Sequence, residues 1–310
     1  MTDSSAKTGL LYGFVAYGWW GLVPIYFKAV KRVPAIEMLA HRVVWSSILL
    51  LLVLLMFGRL KVLVACFRHG RSLKLLLLST CFIASNWYVY IYCVMTNQIV
   101  QGSLGYFILP LVNVAIGTIF FGEKMRRSQW LALVFATLGV VVLTIWDGKF
   151  PWIALTLAFS FSIYGVLRKQ AKVDGTVGLT VETLLLLPIA MICLMIWNAD
   201  NQLAFGQIDR DIDILIILSG VVTTVPLICF AQAVQRLRIV TIGILQYISP
   251  TLAFLIGVLA YDEKFPPAYQ AGCGLIWIGL IVFVLDALHQ ARKPKVVEEV
   301  RKEAEVVPLD

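Results

Sequence analysis

Charged residues are scarce in this sequence. Of its 310 residues only 14% are Asp, Glu, Lys or Arg, whereas 60% are hydrophobic. A soluble domain has about a quarter charged and about half apolar residues. The shortage of charge therefore excludes a soluble globular domain and predicts an integral membrane protein with almost all of its chain in lipid. The net charge of +8 does not indicate nucleic acid as a partner, because no basic patch with a binding fold occurs outside the apolar runs.

Motifs of catalysis and metal binding are also missing. The six cysteines are scattered without a C-x-x-C pair, which is typical of small buried side chains and not of disulfides or metal ligands. The chain has no H-E-x-x-H motif and no Ser/His/Asp arrangement in a recognisable context. We therefore predict no enzyme activity, no cofactor and no metal site. A membrane-embedded enzyme acting on a lipid-linked substrate, or a sensor that only binds, is the alternative to a transporter.

One apolar stretch occurs twice. Residues 101–124 read QGSLGYFILPLVNVAIGTIFFGEK, and 140 positions later residues 241–264 read TIGILQYISPTLAFLIGVLAYDEK. A proline in the middle of the stretch recurs as Pro110 and Pro250. Because these features recur at one offset, we infer an internal duplication of the chain.

Ten apolar runs are each long enough to cross a bilayer as a helix, which takes about 20 residues. We predict an all-α integral membrane fold with ten transmembrane helices, arranged as two inverted five-helix repeats. The first repeat is predicted at 8–146 and the second at 150–288, followed by a cytoplasmic tail at 289–310. The runs cover residues 8–28, 36–57, 74–96, 101–122, 128–146, 150–168, 178–197, 212–235, 240–261 and 268–288.

Lysine and arginine favour one side of the predicted membrane. With the N-terminus in the cytoplasm, 19 of the 26 basic residues lie in inside segments and six lie in outside segments. The positive-inside rule then places both termini in the cytoplasm, in accord with an even number of spans. Each half has five spans, so the second half must enter the membrane from the opposite side. Such inverted repeats are typical of secondary transporters, because the two halves can exchange inward-open and outward-open shapes at similar energy.

An acid-base pair closes each copy of the repeated stretch, as Glu123-Lys124 and as Glu263-Lys264. The predicted topology places the two pairs on opposite sides of the membrane. They are therefore poor candidates for one shared substrate site, and we interpret both as structural.

The repeated prolines Pro110 and Pro250 predict a hinge. Each proline removes one helical hydrogen bond and frees a carbonyl group. Membrane helices tolerate this where neighbouring groups or a water-filled cavity satisfy the carbonyl. A static packing kink is the alternative for each proline.

Ionisable residues at membrane depth are rare, and each is a functional candidate because burying a charge there is costly. Arg42 is a candidate for holding an anionic group such as a carboxylate, and snorkelling to the headgroups is its alternative. Glu37, His41 and Glu182 are candidates for proton coupling. The alternatives are an ordinary hydrogen bond for His41 and helix capping for Glu182.

Aromatic and amide side chains at helical spacing predict a mostly apolar pocket with a few polar points in mid-membrane. Polar packing between helices is the alternative. The predicted substrate-binding residues are Trp20, His41, Arg42, Asn86, Tyr90, Tyr106, Asn113, Tyr164, Gln246 and Tyr247.

Several runs of the sequence resemble one known family. They are YGWWGLVPIYFK, HRVVWS, NWYVYIY and LGYFILPLVNV in the first half, and FSFSIYGVLRK, VETLLLLP and LQYISPTLAFL in the second. Together they resemble the RarD group of EamA-type permeases, in the drug/metabolite transporter superfamily, over residues 8 to about 288. The chain departs from the family pattern at Asp262, where a glycine like Gly122 is usual.

The resemblance implies ten helices in two inverted five-helix repeats within a bacterial inner membrane. It also implies a permease whose natural substrate is not settled, with a cavity lined by the first four helices of each half. We therefore expect a secondary transporter that moves a small organic metabolite or drug by alternating access. Its expected partners are that solute, membrane lipids and, as a candidate for coupling, protons.

Overall fold

The computed structural model describes residues 3–121, 125–146, 148–237 and 239–292, and every regular element within these ranges is helical. Most helices end at short turns, so the chain crosses the bundle repeatedly in alternating directions. The helices are α1 (Asp3–Ala29), α2 (Ala35–Met56), α3 (Leu60–Arg68), α4 (Gly70–Met95), α5 (Ile99–Phe121), α6 (Arg127–Trp146), α7 (Trp152–Ala171), α8 (Gly175–Ala199), α9 (Arg210–Arg236), α10 (Ile239–Leu245), α11 (Ile248–Leu255), a π-helical segment (Ile256–Ala260) and α12 (Pro267–Arg292).

Nine helical segments of the described chain are long and apolar enough to cross a membrane, with α10, α11 and the π segment acting as one. Helix α7, the predicted span at 150–168, is not among these nine and has 20 residues. Ser160 and Ser162 reduce its apolar character, and both side chains are buried inside the bundle. Because these polar groups face protein and not lipid, α7 can lie in the membrane with the others. The predicted all-α fold of ten membrane helices is confirmed.

Helices of the two halves pack in the pairs that a two-fold symmetry between the halves requires. Helix α1 packs on α9, and its repeat counterpart α7 packs in the same way on α4. Helix α2 packs on its own counterpart α8, and α6 packs on its own counterpart α12. Gly139 of α6 and Gly279 of α12 allow these last two backbones to approach closely, because a Cβ atom at either position would lie 2.6 Å from a carbonyl oxygen of the other helix.

The bundle has two ends, which we name by the residues they hold. The terminal end holds Asp3 and Arg292, and the distal end holds Lys28 and Glu263. At the distal end one apolar cluster joins α1, α2, α4, α5, α7, α9 and α11. At the terminal end a smaller cluster joins α2, α3, α4, α7 and α8. A third cluster of α5, α6, α7 and α12 lies mostly in the distal half of the bundle. The distal apolar cluster therefore joins more helices of the two halves than the terminal one.

The structure adds two features to the predicted spans. The predicted span at 240–261 is divided into α10, α11 and the π segment, with a turn at Gln246 and Tyr247. Pro250 has no N–H group to donate to the carbonyl of Gln246, so a regular helix loses a hydrogen bond at this turn. The other addition is α3, a nine-residue helix between the second and third spans.

Some predictions concern residues that the structure does not describe. Glu123 and Lys124 lie outside the described residues, and so do positions 293–310 of the predicted cytoplasmic tail. The division into domains at 8–146, 150–288 and 289–310 stays a prediction.

Candidate functional site

Arg42 of α2 is the centre of the candidate site. Its Nε donates a hydrogen bond of 2.7 Å to Oγ1 of Thr223 on α9. Its guanidinium carbon lies 4.3 Å from the centroid of the Trp87 ring on α4. Among the ion pairs of the described residues, none includes Arg42. A guanidinium stacked on an indole, with no carboxylate beside it, can accept an anion.

Arg42 lies seven residues inside α2, which places it about 10 Å along the helix axis. The phenol groups of Tyr26, Tyr90 and Tyr106 lie within electrostatic range of its guanidinium. Aromatic residues of α1, α4 and α5 therefore lie near the cation, and the structure brings Tyr90 and Tyr106 of the predicted site close to Arg42.

Tyr90 and Tyr106 form an aromatic wall that Asn86 fixes in place. The two rings meet edge to face, with 5.7 Å between their centroids. The Tyr106 hydroxyl donates a 3.2 Å hydrogen bond to Oδ1 of Asn86. The Asn86 amide nitrogen donates to the Leu157 carbonyl and to the Ser160 hydroxyl, each at 3.0 Å. Because its amide is already engaged on both atoms, Asn86 positions Tyr106 and fastens the two halves together.

The distal side of this site is closed. The Tyr26 hydroxyl donates a 2.8 Å hydrogen bond across the halves to the carbonyl of Leu215. The rings of Phe27 and Tyr90 meet edge to face with 6.2 Å between centroids. These contacts join the helices on the distal side of Arg42.

Two further aromatic groups lie on the terminal side. Trp20 packs with Tyr17 and Phe230, at centroid distances of 5.5 Å and 5.7 Å. Phe161 connects Tyr106 to Tyr164, at 6.3 Å and 5.6 Å. Phe161 itself is 36% exposed although it contacts these two rings.

Several predicted site residues lie apart from Arg42. Trp20 and His41 have their contacts elsewhere, and Asn113, Gln246 and Tyr247 are also separate. Asn113 is exposed on α5, while Gln246 and Tyr247 form the turn between α10 and α11. The Tyr247 hydroxyl is buried without a hydrogen-bond partner, and its ring packs on the cluster of α5 and α12. No hydrogen bond or ring contact of the described residues joins these three to the Arg42 group.

Glu182 of α8 is fully buried and lies at the centre of a polar cluster on the terminal side. The hydroxyl of Ser79 donates a 2.5 Å hydrogen bond to Oε1, and that of Tyr164 donates a 3.2 Å bond to Oε2. Nε of Arg168 lies 3.8 Å from Oε1. Through Tyr164 and Phe161 this carboxyl group connects to Tyr106 of the Arg42 site.

Glu37, near the start of α2, has a different environment from Glu182. Its carboxylate accepts hydrogen bonds of 2.9 to 3.1 Å from the backbone N–H groups of Ala204 and Phe205, in the loop between α8 and α9. His41 lies beside it, with Nε2 3.6 Å from Oε1 and its ring 5.1 Å from that of Phe205. Glu37 therefore holds the distal loop in place, and His41 packs at the same loop.

The two predicted hinge prolines are both buried but differ in their helices. Pro110 lies within the continuous helix α5, whereas Pro250 follows the break at Gln246. Each proline leaves the carbonyl four residues earlier without its helical donor, at Tyr106 and at Gln246. The freed carbonyl of the first half thus belongs to a residue of the Arg42 site.

The distal end holds a buried ion pair between the halves. Lys28 Nζ lies 3.8 Å from Oε1 of Glu263 and also donates a hydrogen bond to Oδ1 of Asn97. The second carboxylate oxygen of Glu263 accepts the Val100 N–H at 2.9 Å, at the start of α5. Glu263 is therefore structural, as expected, but its partners belong to the other half of the chain.

Sequence analysis missed Trp87 and Thr223 as partners of Arg42. Trp87 lies in the aromatic run NWYVYIY, so its residue type was a signal, but Thr223 is one of several hydroxyl residues in α9. Metal binding finds no support in the described residues, which contain no group of three or more His, Cys, Asp or Glu side chains that could hold an ion.

Known proteins match this chain over almost its whole length. The EamA-like transporter family matches residues 7–145 and 150–285. The chain is 40% identical to protein RarD of Escherichia coli over 293 residues, covering 94% of this chain and 99% of the relative. It is 41% identical over 297 residues to an uncharacterized transporter of Vibrio cholerae, covering 94% and 98%.

Two more distant relatives extend the comparison. A chloramphenicol-sensitive protein RarD of Pseudomonas aeruginosa is 28% identical over 289 residues, covering 92% of this chain and 96% of the relative. One solved crystal structure shares the fold with a TM-score of 0.59 at 19% identity, covering 93% of this chain and 99% of that one.

These matches, together with the many membrane-spanning helices, show a multi-pass bacterial membrane transporter. The chain belongs to the EamA-like transporter family and, within it, to the RarD group.

Proposed function

We propose that this transporter moves a small organic anion across the bacterial inner membrane by alternating access, with Arg42 as the cation that holds it. The observation that carries the proposal is the Arg42 guanidinium, which is bound to Thr223 and stacked on Trp87 without a carboxylate partner among the described residues. An uncompensated cation at membrane depth is costly, so a site that keeps one is suited to a ligand of opposite charge.

The geometry favours a carboxylate attached to an apolar or aromatic body. Trp87 covers one face of the guanidinium, and Nε is engaged by Thr223. The two terminal nitrogens of the fork can then bind a carboxylate with parallel hydrogen bonds. The rings of Tyr90 and Tyr106 supply an apolar surface beside it, and edge-to-face contacts with aromatic solutes are favourable there.

Alternating access follows from the inverted repeats. The described structure is closed on the distal side of Arg42, where Tyr26 bonds to Leu215 and one apolar cluster joins seven helices. Because the two halves have opposite orientations, exchanging their conformations would close the terminal side and open the distal side. The prolines Pro110 and Pro250 lie where such a change would bend the repeated helices.

Glu182 is the best candidate for coupling to protons. It is buried on the terminal side and connects to the Arg42 site through Tyr164 and Phe161. Glu37 is less suited to this role, because its carboxylate holds the distal loop through the backbone N–H groups of Ala204 and Phe205. His41 shares that distal loop contact and is the second candidate.

The terminal end is the cytoplasmic end in this proposal. The positive-inside rule supports it, because the segments on the side of the termini hold most of the lysines and arginines. The described conformation is then the one closed toward the outside.

Transport by proteoliposomes tests the proposal. Purified protein is reconstituted with an imposed proton gradient and offered a pooled mixture of metabolites and drugs, and mass spectrometry identifies what crosses. For each transported carboxylate, its uncharged amide analogue is offered separately. We expect accumulation of the carboxylate and not of its amide, and a loss of accumulation when the gradient is collapsed. Equal transport of the two analogues would contradict the role of an anionic group, and no transport beyond empty vesicles would contradict the function.

A further inference from the structure

Helix α3 presents two different faces at the terminal end. Leu63 and Cys66 are buried in an apolar cluster with α2, α4 and α8. Lys61 and Arg68 are exposed on the opposite face. They are seven residues apart, which is nearly two turns of helix and about 10 Å along its axis. The two cations therefore lie on one side of α3, directed away from the bundle.

Apolar side chains accompany these cations. Val64 is 49% exposed and Phe67 is 37% exposed. A shallow groove of about 610 Å³ runs along this face, lined by Leu60, Lys61, Val64, Ala65, Arg68 and His69. A helix with cationic and apolar residues side by side is suited to the plane where headgroups meet acyl chains.

The charged side chains of α3 itself are all positive. The sequence has no Asp or Glu between Glu37 and Glu123. Five Lys or Arg residues lie between Arg59 and Lys74, and of these Arg59 is paired, at 3.1 Å, with Asp174. The ion pairs of the described residues include neither Lys61 nor Arg68. Both cations are therefore available to an external anion.

We propose that this groove on α3 binds an anionic phospholipid. The lipid phosphate lies between Lys61 and Arg68, and its acyl chain lies along Val64 and Phe67. A basic residue near the membrane surface attracts anionic lipid. A zwitterionic phospholipid carries no net charge, so the same two cations attract it less. The lipid site is separate from the Arg42 site and does not depend on which solute the protein transports.

Native mass spectrometry of the full chain tests the proposal with phosphatidylglycerol and phosphatidylcholine as the added lipids. The variant Lys61→Gln/Arg68→Gln removes both cations of the groove. The control variant Lys149→Gln/Lys264→Gln removes the same charge from two exposed lysines at the distal end.

We expect the unmodified chain and the control to retain phosphatidylglycerol in preference to phosphatidylcholine. We expect the groove variant to bind phosphatidylglycerol roughly 25-fold more weakly, about fivefold for each cation lost. Equal retention by the groove variant and the control would overturn the proposal, and so would equal retention of the two lipids by the unmodified chain.

Two further measurements keep the result interpretable. The thermal unfolding midpoint of each delipidated variant shows whether the chain is folded, and we expect phosphatidylglycerol to raise that midpoint for the unmodified chain and the control but not for the groove variant. Inorganic phosphate is then added in place of lipid. If phosphate alone produces the same rise and displaces the lipid, the groove is a site for free phosphate and the lipid proposal fails.

Discussion

Lys28 of the first half and Glu263 of the second half form a buried ion pair, with Nζ 3.8 Å from Oε1 and side chains only 6% and 4% exposed. Lys28 also donates a hydrogen bond to Asn97, and the Val100 N–H donates one to the second carboxylate oxygen of Glu263. Through these contacts the end of α1, the turn before α5 and the loop before α12 are held together at the distal end. Opening that end to solvent would require separating the two charges.

Removing one charge of this pair should weaken the fold. Lys28→Met and Glu263→Gln each leave a buried group without its ionic partner, which costs about 3 kcal/mol or more. We expect both single variants to unfold at clearly lower temperature in detergent. The double variant should recover part of the loss, because it leaves neither charge unpaired. Single variants as stable as the unmodified chain would show that the ion pair contributes nothing.

Glu37 and Glu182 should respond differently to neutralisation. Glu37→Gln places an amide nitrogen near the N–H groups of Ala204 and Phe205, so we expect a loss of stability of about 1–3 kcal/mol. Uptake by the Glu37→Gln variant should fall by the same factor at every pH. Glu182→Gln removes the titrating group instead, so uptake should lose its dependence on pH. The measurement is initial uptake from acid to neutral pH, and identical profiles for the two variants would contradict the assignment.

The close contact of α6 and α12 predicts that one methyl group added at Gly139 lowers the stability of the fold. In Gly139→Ala the new Cβ atom would lie 2.6 Å from the Gly272 carbonyl oxygen and 2.7 Å from Ile276. We expect a loss of about 1–3 kcal/mol from this overpacking. Gly274→Ala is the matched control on α12, since its Cβ atom would meet nothing within 4 Å. The thermal unfolding midpoint of Gly139→Ala should be lower than that of Gly274→Ala, and equal midpoints would exclude the close contact.

Cys66 should react slowly with maleimides. Burial raises the pKa of its thiol above the ordinary value, and Arg168 offsets this only in part. A raised pKa leaves less thiolate at neutral pH, and the thiolate is the reactive form. Two single-cysteine chains allow the comparison, one keeping Cys66 and one with Ala65→Cys on the exposed face. We expect labelling of Cys66 to be at least about tenfold slower, and equal rates would place Cys66 on the exposed side.

The Ala65→Cys chain also reports the orientation in the membrane. An impermeant maleimide should label it in inverted vesicles and not in intact cells, because α3 lies at the proposed cytoplasmic end. Labelling from outside intact cells would reverse the proposed topology.

The sequence predicts the spans well because apolar length and repeated residues are local signals. The ten runs correspond to ten membrane helices, and the recurrence of Pro110 at Pro250 reveals the repeat. The same recurrence could not show that α5 is continuous while its counterpart is broken at Gln246. Helix α3 has nine residues and its apolar face is too short to stand out between two long spans.

The sequence predicts individual residues of the candidate site but not the contacts between them. Arg42 and Glu182 stand out because charge within a span is costly. Their partners could not be derived, because Thr223 and Trp87 reach Arg42 from two other helices, and the packing of those helices decides the contact. Glu37 and Glu182 both lie in the second span of their half, yet only the structure shows that Glu37 binds a backbone loop while Glu182 binds side chains.

The measurement that tests the central claim most directly is uptake of an identified carboxylate by the Arg42→Gln variant, beside the control Arg210→Gln. Arg210 is exposed at the distal end, so its replacement removes the same charge without touching the site. The account predicts that Arg42→Gln lowers uptake at least about 10-fold, the value of a lost charge-assisted hydrogen bond of about 1.5 kcal/mol or more, at normal protein levels in the membrane. The control should transport like the unmodified chain. Undiminished uptake by Arg42→Gln would contradict the claim that this arginine holds the solute.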